Sequence, residues 1–119
     1  MRYLLMIHVN EKAMEAARKE DAGKVMAAYG AYTEAMKGAG VYVGGERLHP
    51  TATATVVRVQ DGQTRVLNGP YAEIKEQLGG YYLIEARDLD DAIAWAARCP
   101  GAAYGTIEVR PLMAIPARA

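Results

Sequence analysis

Residues 2–9, RYLLMIHV, are apolar at nearly every position. A strand with one wet face alternates apolar and polar residues, so an unbroken apolar run reads as a strand covered on both sides. That demand is hard to meet in 119 residues, a length that holds one domain with one core. Helices can cover one face of a small sheet. Something else must cover the other.

The rest of the chain supplies two helices and several strands. Residues 10–20 are polar and alanine-rich, and read as a loop or a short helical turn. From about Asp21 to Ala39 the residues Val25, Tyr29, Tyr32 and Met36 form one helical stripe, which Gly38 and Gly40 end. VYVGGERLHP reads as extended and irregular, bending at Gly44–Gly45 and closed by Pro50. Thr51 to Val59 and Thr64 to Leu67 flank Asp61–Gly62 and predict a hairpin with a tight turn. A polar segment, residues 68–77, precedes a strand from Leu78 to Ala86. Asp88 can cap a second helix, with Leu89, Ala92, Ile93 and Ala96 as its buried face and Cys99–Pro100–Gly101 as its stop. Thr106 to Met113 forms the last strand, and the IPARA tail is expected to be loose. The order predicts an α+β fold, one domain over residues 1–119. It is a ferredoxin-like split β-α-β with an added hairpin strand.

Composition narrows the function classes. Lys plus Arg balance Asp plus Glu at 14 each, which argues against a general nucleic-acid binder. The same balance leaves no electrostatic barrier to self-association. No apolar run approaches a membrane span, and MRYLLMIHVN reads as a strand rather than a signal peptide. The single cysteine, Cys99, fits a reducing cytoplasm. At a helix C-terminus it is expected to be a small buried hydrophobe with a raised thiol pKa. His49 has no Cys, His or Asp partners at ligand spacing, so neither a metal nor another cofactor is expected. Trp95 lies off its helix's main stripe and reads as an edge or interface residue.

GPYAEIKEQLGGYYLIEA, followed by DLDDAIAWAARCPG and GTIEVRPL, resembles the YCII-related superfamily, specifically its DGPF branch. The likeness extends to VGGERLHP and the Asp61–Gly62 hairpin. Asn68 and Tyr71 stand where the branch signature has Asp and Phe. The resemblance implies a homodimer formed by packing two sheets face to face, a dimeric α+β barrel. It also implies a branch whose genes often accompany extracytoplasmic-function sigma factors. Some superfamily members are enzymes, among them a dehydrochlorinase acting on a chlorinated hydroxyquinol, with a His on the first helix and an Asp just after the second. The matching places here are near Ala28 and at Cys99, neither of which can act as that base or its partner.

Strand alternation sorts the candidate site residues independently of the family. Tyr3, Leu5 and Ile7, Ile107 and Val109, and Tyr82 and Ile84 are the apolar sets expected under the helices. The second face collects His8, Tyr81, Glu85, Glu108 and Arg110, with Arg58 if the hairpin strand follows suit. His8 with Glu108 or Glu85 would be base and orienter in a cofactor-independent enzyme, and Arg58 and Arg110 would hold a small anionic ligand. The competing reading is that these charges pair across a dimer interface. Glu73 and Lys75 in the polar segment either shape a loop or form the mouth of a pocket. A ligand-binding or regulatory accessory module is the first functional expectation, an enzyme the second.

Overall fold

The computed structural model describes residues 1–114. In chain order it contains β1 (Arg2–Val9), α1 (Glu11–Gly38), β2 (Tyr42–Arg47), β3 (Thr55–Gln60), β4 (Gln63–Asn68), β5 (Gln77–Glu85), α2 (Leu89–Arg98) and β6 (Thr106–Pro111). One sheet runs β2-β5-β1-β6 with every neighbouring pair antiparallel, and β3 with β4 forms a separate two-stranded sheet. The architecture is α+β.

The central strand β1 shows why its sequence lacks polar alternation. Tyr3, Leu5, Ile7 and Val9 are buried, while Leu4, Met6 and His8 between them are only half-buried. Register places Ile84, Tyr82, Val109 and Ile107 on the buried side with Tyr3, Leu5 and Ile7. Leu83, Tyr81, Arg110 and Glu108 lie on the other side with Leu4 and Met6. The helices cover only the first of these faces. Leu5, Met36 and Ile84 are fully buried at its centre, where Tyr32 donates a 2.8 Å hydrogen bond to the Trp95 carbonyl and meets Tyr82 edge-on at 5.3 Å.

Four sequence expectations change. Residues 11–20 are helical: Asn10 caps the helix by accepting from the Ala13 N–H at 3.0 Å, and the helix continues through a kink at Asp21 (φ −136°, ψ 36°). VYVGGERLHP yields β2, the sheet's edge strand: a register shift between Tyr42 and Gly44 sets Val43 out as a bulge and leaves Gly44 and Gly45 paired with Leu83 and Tyr82. A Cβ on Gly45 would come within 2.7 Å of the Tyr82 ring and 2.8 Å of the Tyr81 carbonyl, so this strand approaches β5 only as glycine. The hairpin adds no strand to the main sheet; it is an arm. Its turn has Asp61 at φ 50° and Gly62 at φ 74°, the pair of positive values that a two-residue type I′ connection requires. Finally, α2 buries Ala92, Trp95 and Ala96, and leaves Leu89 and Ile93 about half exposed. Trp95 is therefore core, with the Arg98 guanidinium 4.3 Å above its ring.

The arm gives the molecule its outline. The Cα atoms extend 51 × 49 × 19 Å with a radius of gyration of 16.6 Å, against about 13.5 Å for a compact chain of this length. Val57, Val59 and Val66 share one arm face and are 59 %, 68 % and 57 % exposed. Two strands alone are marginal in water. At the arm's base the Glu11 carboxylate accepts from the Thr51 backbone N–H at 2.9 Å and from the Thr51 hydroxyl at 3.0 Å. The expected loose tail, from Ile115 onward, lies outside the described residues.

Candidate functional site

Two places bring chemically useful groups together, on opposite faces of the sheet. On the uncovered face, β1 and β6 set His8 beside Glu108, with His8 Nε2 3.2 Å from Glu108 Oε1. Facing a carboxylate, Nε2 carries the proton, which leaves Nδ1 as the basic ring atom. Arg110 Nε lies 3.9 Å from the other Glu108 oxygen. Thr106, opposite His8, donates to Glu76 Oε1 at 2.7 Å.

The other sequence candidates separate from this cluster. Glu85 pairs with Arg2 in register and binds the N-terminal amine at 3.3 Å, about 20 Å along β1 from His8 at the usual strand rise. It cannot orient His8. Arg58 stands exposed on the arm, directly opposite Arg65 and outside the main sheet. Like charges in that relation repel. Tyr81 lies on the uncovered face opposite Met6 and Glu46. Glu73 and Lys75 are exposed in the bends before β5.

The polar segment's contacts are made by its last two residues. Glu76 holds Thr106, and the Gln77 side chain accepts from the Glu11 N–H at 2.9 Å while donating to the Ile74 carbonyl. Glu11 in turn holds Thr51. One short run thus fixes the start of α1, the start of β5 and the base of the arm together.

The second place was not legible in the sequence. Beneath α1, on the helix-covered face, lies a cavity of about 460 Å³ walled mainly by apolar surface. Val25 and Met26 form its roof, Tyr29, Thr33 and Tyr82 its polar inner wall, and Arg47 its rim. The Thr33 hydroxyl donates to the Tyr29 carbonyl at 2.9 Å and lies 3.1 Å from the Tyr82 hydroxyl, which therefore supplies the proton of that second bond. The volume falls in the range of small-molecule pockets, about 300–1,000 Å³. Sequence offered one partial signal: Val25 and Tyr29 belong to the stripe that it assigned to the core.

Burial governs the chemistry around this cavity. It pushes the Tyr29 and Tyr32 phenols well above the ordinary tyrosine range, with the neighbouring Cys99 adding to the effect. It raises Tyr82 as well, partly offset by the hydrogen bond that Tyr82 shares with Thr33. The Cys99 thiol is raised by burial, partly offset by backbone N–H groups of Gly101 and Ala102 and by Tyr29. These groups are neutral hydrogen-bonding partners near pH 7. Ala28 is exposed, so neither position matching the superfamily dyad presents a base. Among the described residues no group of three or more His, Cys, Asp or Glu is placed to hold a metal ion, and no helix is long and apolar enough to cross a membrane.

A family model described as the YCII-related domain matches residues 1–116. An uncharacterized protein of Rhizobium meliloti (strain 1021) is 38 % identical over 114 residues, covering 94 % of this chain and 92 % of the relative. The shared length takes in both faces of the sheet, the kinked helix and the arm. With matches of that extent, the chain belongs to the YCII-related domain family.

Proposed function

We propose that this protein is a non-catalytic module of the DGPF branch that binds a small ligand in the cavity beneath α1, in a regulatory or accessory role. The observation that carries the reading is the make-up of that cavity: a mainly apolar hollow of about 460 Å³ whose inner polar groups are the phenol and hydroxyl hydrogen-bonding partners of Tyr29, Thr33 and Tyr82, with Glu46 and Arg47 in its lining on the β2 side. We further read the main sheet as a ferredoxin-like half that pairs through its uncovered face with a second copy, as a dimeric α+β barrel. Leu4, Met6, Tyr81 and Leu83 support this, since they form an apolar surface that neither helix covers. The working compartment would be the cytoplasm.

Calorimetric titration with 2-naphthol, a neutral probe of suitable size, tests the binding role. Ala22 is exposed on α1 and borders the cavity, so Ala22→Trp should fill the opening without cost to the fold. Saturable binding by the wild type, lost in Ala22→Trp at unchanged Tm, is the expected outcome. Absence of binding by the wild type, or undiminished binding by the variant, would sink the reading.

The 3.2 Å approach of His8 to Glu108 favours a second reading, a cofactor-independent enzyme. His8 Nδ1 would be the base, Glu108 the orienter and Arg110 the anion clamp. On that reading His8→Ala abolishes turnover while the dimer persists. A variant that loses the dimer instead places His8 among the structural contacts.

A further inference from the structure

The apolar cavity does not close beneath α1. It meets a second hollow of about 600 Å³, and Val9, Met14, Arg47 and Gly79 border both. Arg47 thus stands where the two hollows meet, at the edge of an outer one whose lining includes the ionisable Glu11, Lys12, Glu15 and His49. Resting on the binding role argued above, we propose that the two hollows form one cleft whose ligand is an aromatic carboxylate, its ring held beneath α1 and its carboxylate on Arg47.

The charges around Arg47 support this placement. None of the ion pairs among the described residues involves Arg47. Glu11 borders the outer hollow, but both of its oxygens are engaged by Thr51. Glu46 borders the inner hollow, but its register opposite Tyr81 turns its side chain by strand alternation toward the uncovered face. Glu15 remains at the outer wall, with Lys12 beside it as a second cation and His49 across from them. A free guanidinium presents two parallel N–H groups that match a carboxylate.

The inner chamber sets the other end of the ligand. Thr33 and Tyr82 hydrogen-bond to each other, so the deep wall offers no charge to an anion. Its surface is made of flat rings and thioethers, Tyr29 and Tyr82 with Met14 and Met26, which suit the face and edge of an aromatic ring. The ring goes in first, and the carboxylate stays at the rim.

Calorimetric titration of the purified protein with 2-naphthoate, its neutral isostere 2-naphthamide, and decanoate tests this, in the wild type and in Arg47→Gln. The wild type should bind 2-naphthoate tenfold or more tightly than 2-naphthamide, a gap of about 1.4 kcal/mol, and more tightly than decanoate. Arg47→Gln should remove most of that gap while leaving 2-naphthamide binding unchanged. Equal affinity for the acid and the amide in the wild type would overturn the carboxylate assignment alone, as would an Arg47→Gln variant that weakens both probes equally. Decanoate binding as tightly as 2-naphthoate would overturn the aromatic assignment. Failure of all three probes would remove the binding role itself, and this assignment with it.

Discussion

At the scale of single residues, burial decides which side chains stay inert. Tyr29, Tyr32 and Tyr82 are held in their neutral form first by desolvation. Their folded pKa values lie above the unfolded value near 10. The sign follows directly: below about pH 10 both states keep these protons, and above it the unfolded chain releases them first. Stability is therefore whole below that point and falls as pH rises past it. In an alkaline titration of the eight tyrosines, part of the tyrosinate absorbance should develop only as the helical signal collapses. A single ionisation step, complete while the far-ultraviolet spectrum is still native, would contradict this. Some residue roles were readable beforehand and some were not. Cys99 could be read as a buried hydrophobe from its place before Pro100, and is 2 % exposed. Trp95 could not, because an alternative stripe through Leu89 and Ile93 fitted the same helix.

At the scale of elements, periodicity records burial rather than conformation. The second half of α1 buries Tyr32 and Met36, and its stripe was plain in the sequence. Among its described residues the first half buries only Met14, so its sequence carries no stripe and read as a loop or a short helical turn, although its backbone is one continuous, kinked helix with the rest. The strand β2 was hidden for a different reason: Gly44–Gly45 is a bend signal in isolation, and only the approach to Tyr82 turns it into a strand requirement. The cavity was hidden because it lies between residues of the α1 stripe that read as core, Val25 and Tyr29, and the strand that looked irregular. Glu11 is the residue that ties these parts together. Glu11→Ala should destabilise the protein by about 1–3 kcal/mol, the scale of a lost charge-assisted hydrogen-bonding partner. Amide exchange should accelerate in β3 and β4 while β1 and β5 stay protected. A loss below about 0.5 kcal/mol with unchanged exchange in the arm would show that the contact is idle.

At the scale of the whole molecule, one face of the sheet is dressed by helices and the other is bare. The run RYLLMIHV already required cover on both sides, and the chain folds with cover on one. The mixed charges that sequence alone gathered on the second face divide here: His8, Glu108 and Arg110 assemble at one end, Glu85 sits at the other, and Arg58 leaves for the arm. An alternation rule assigns a face but not a position along it. Pairing with a second copy would cover Leu4, Met6, Tyr81 and Leu83, and bring the arm's exposed valines a surface. Leu83→Glu places a charge at the middle of that face. It should shift sedimentation equilibrium toward monomer by tenfold or more in dissociation constant, because a buried unpaired carboxylate is costly. An unchanged assembly state would remove the sheet-to-sheet pairing.

The two faces make opposing claims on function, and amide chemical-shift mapping with 2-naphthoate separates them most directly. Shifts centred on Tyr29, Thr33, Gly45 and Arg47, with His8, Thr106 and Glu108 unmoved, are the predicted result. Shifts centred on His8 and Glu108 instead would contradict it and move the working site to the opposite side of the sheet.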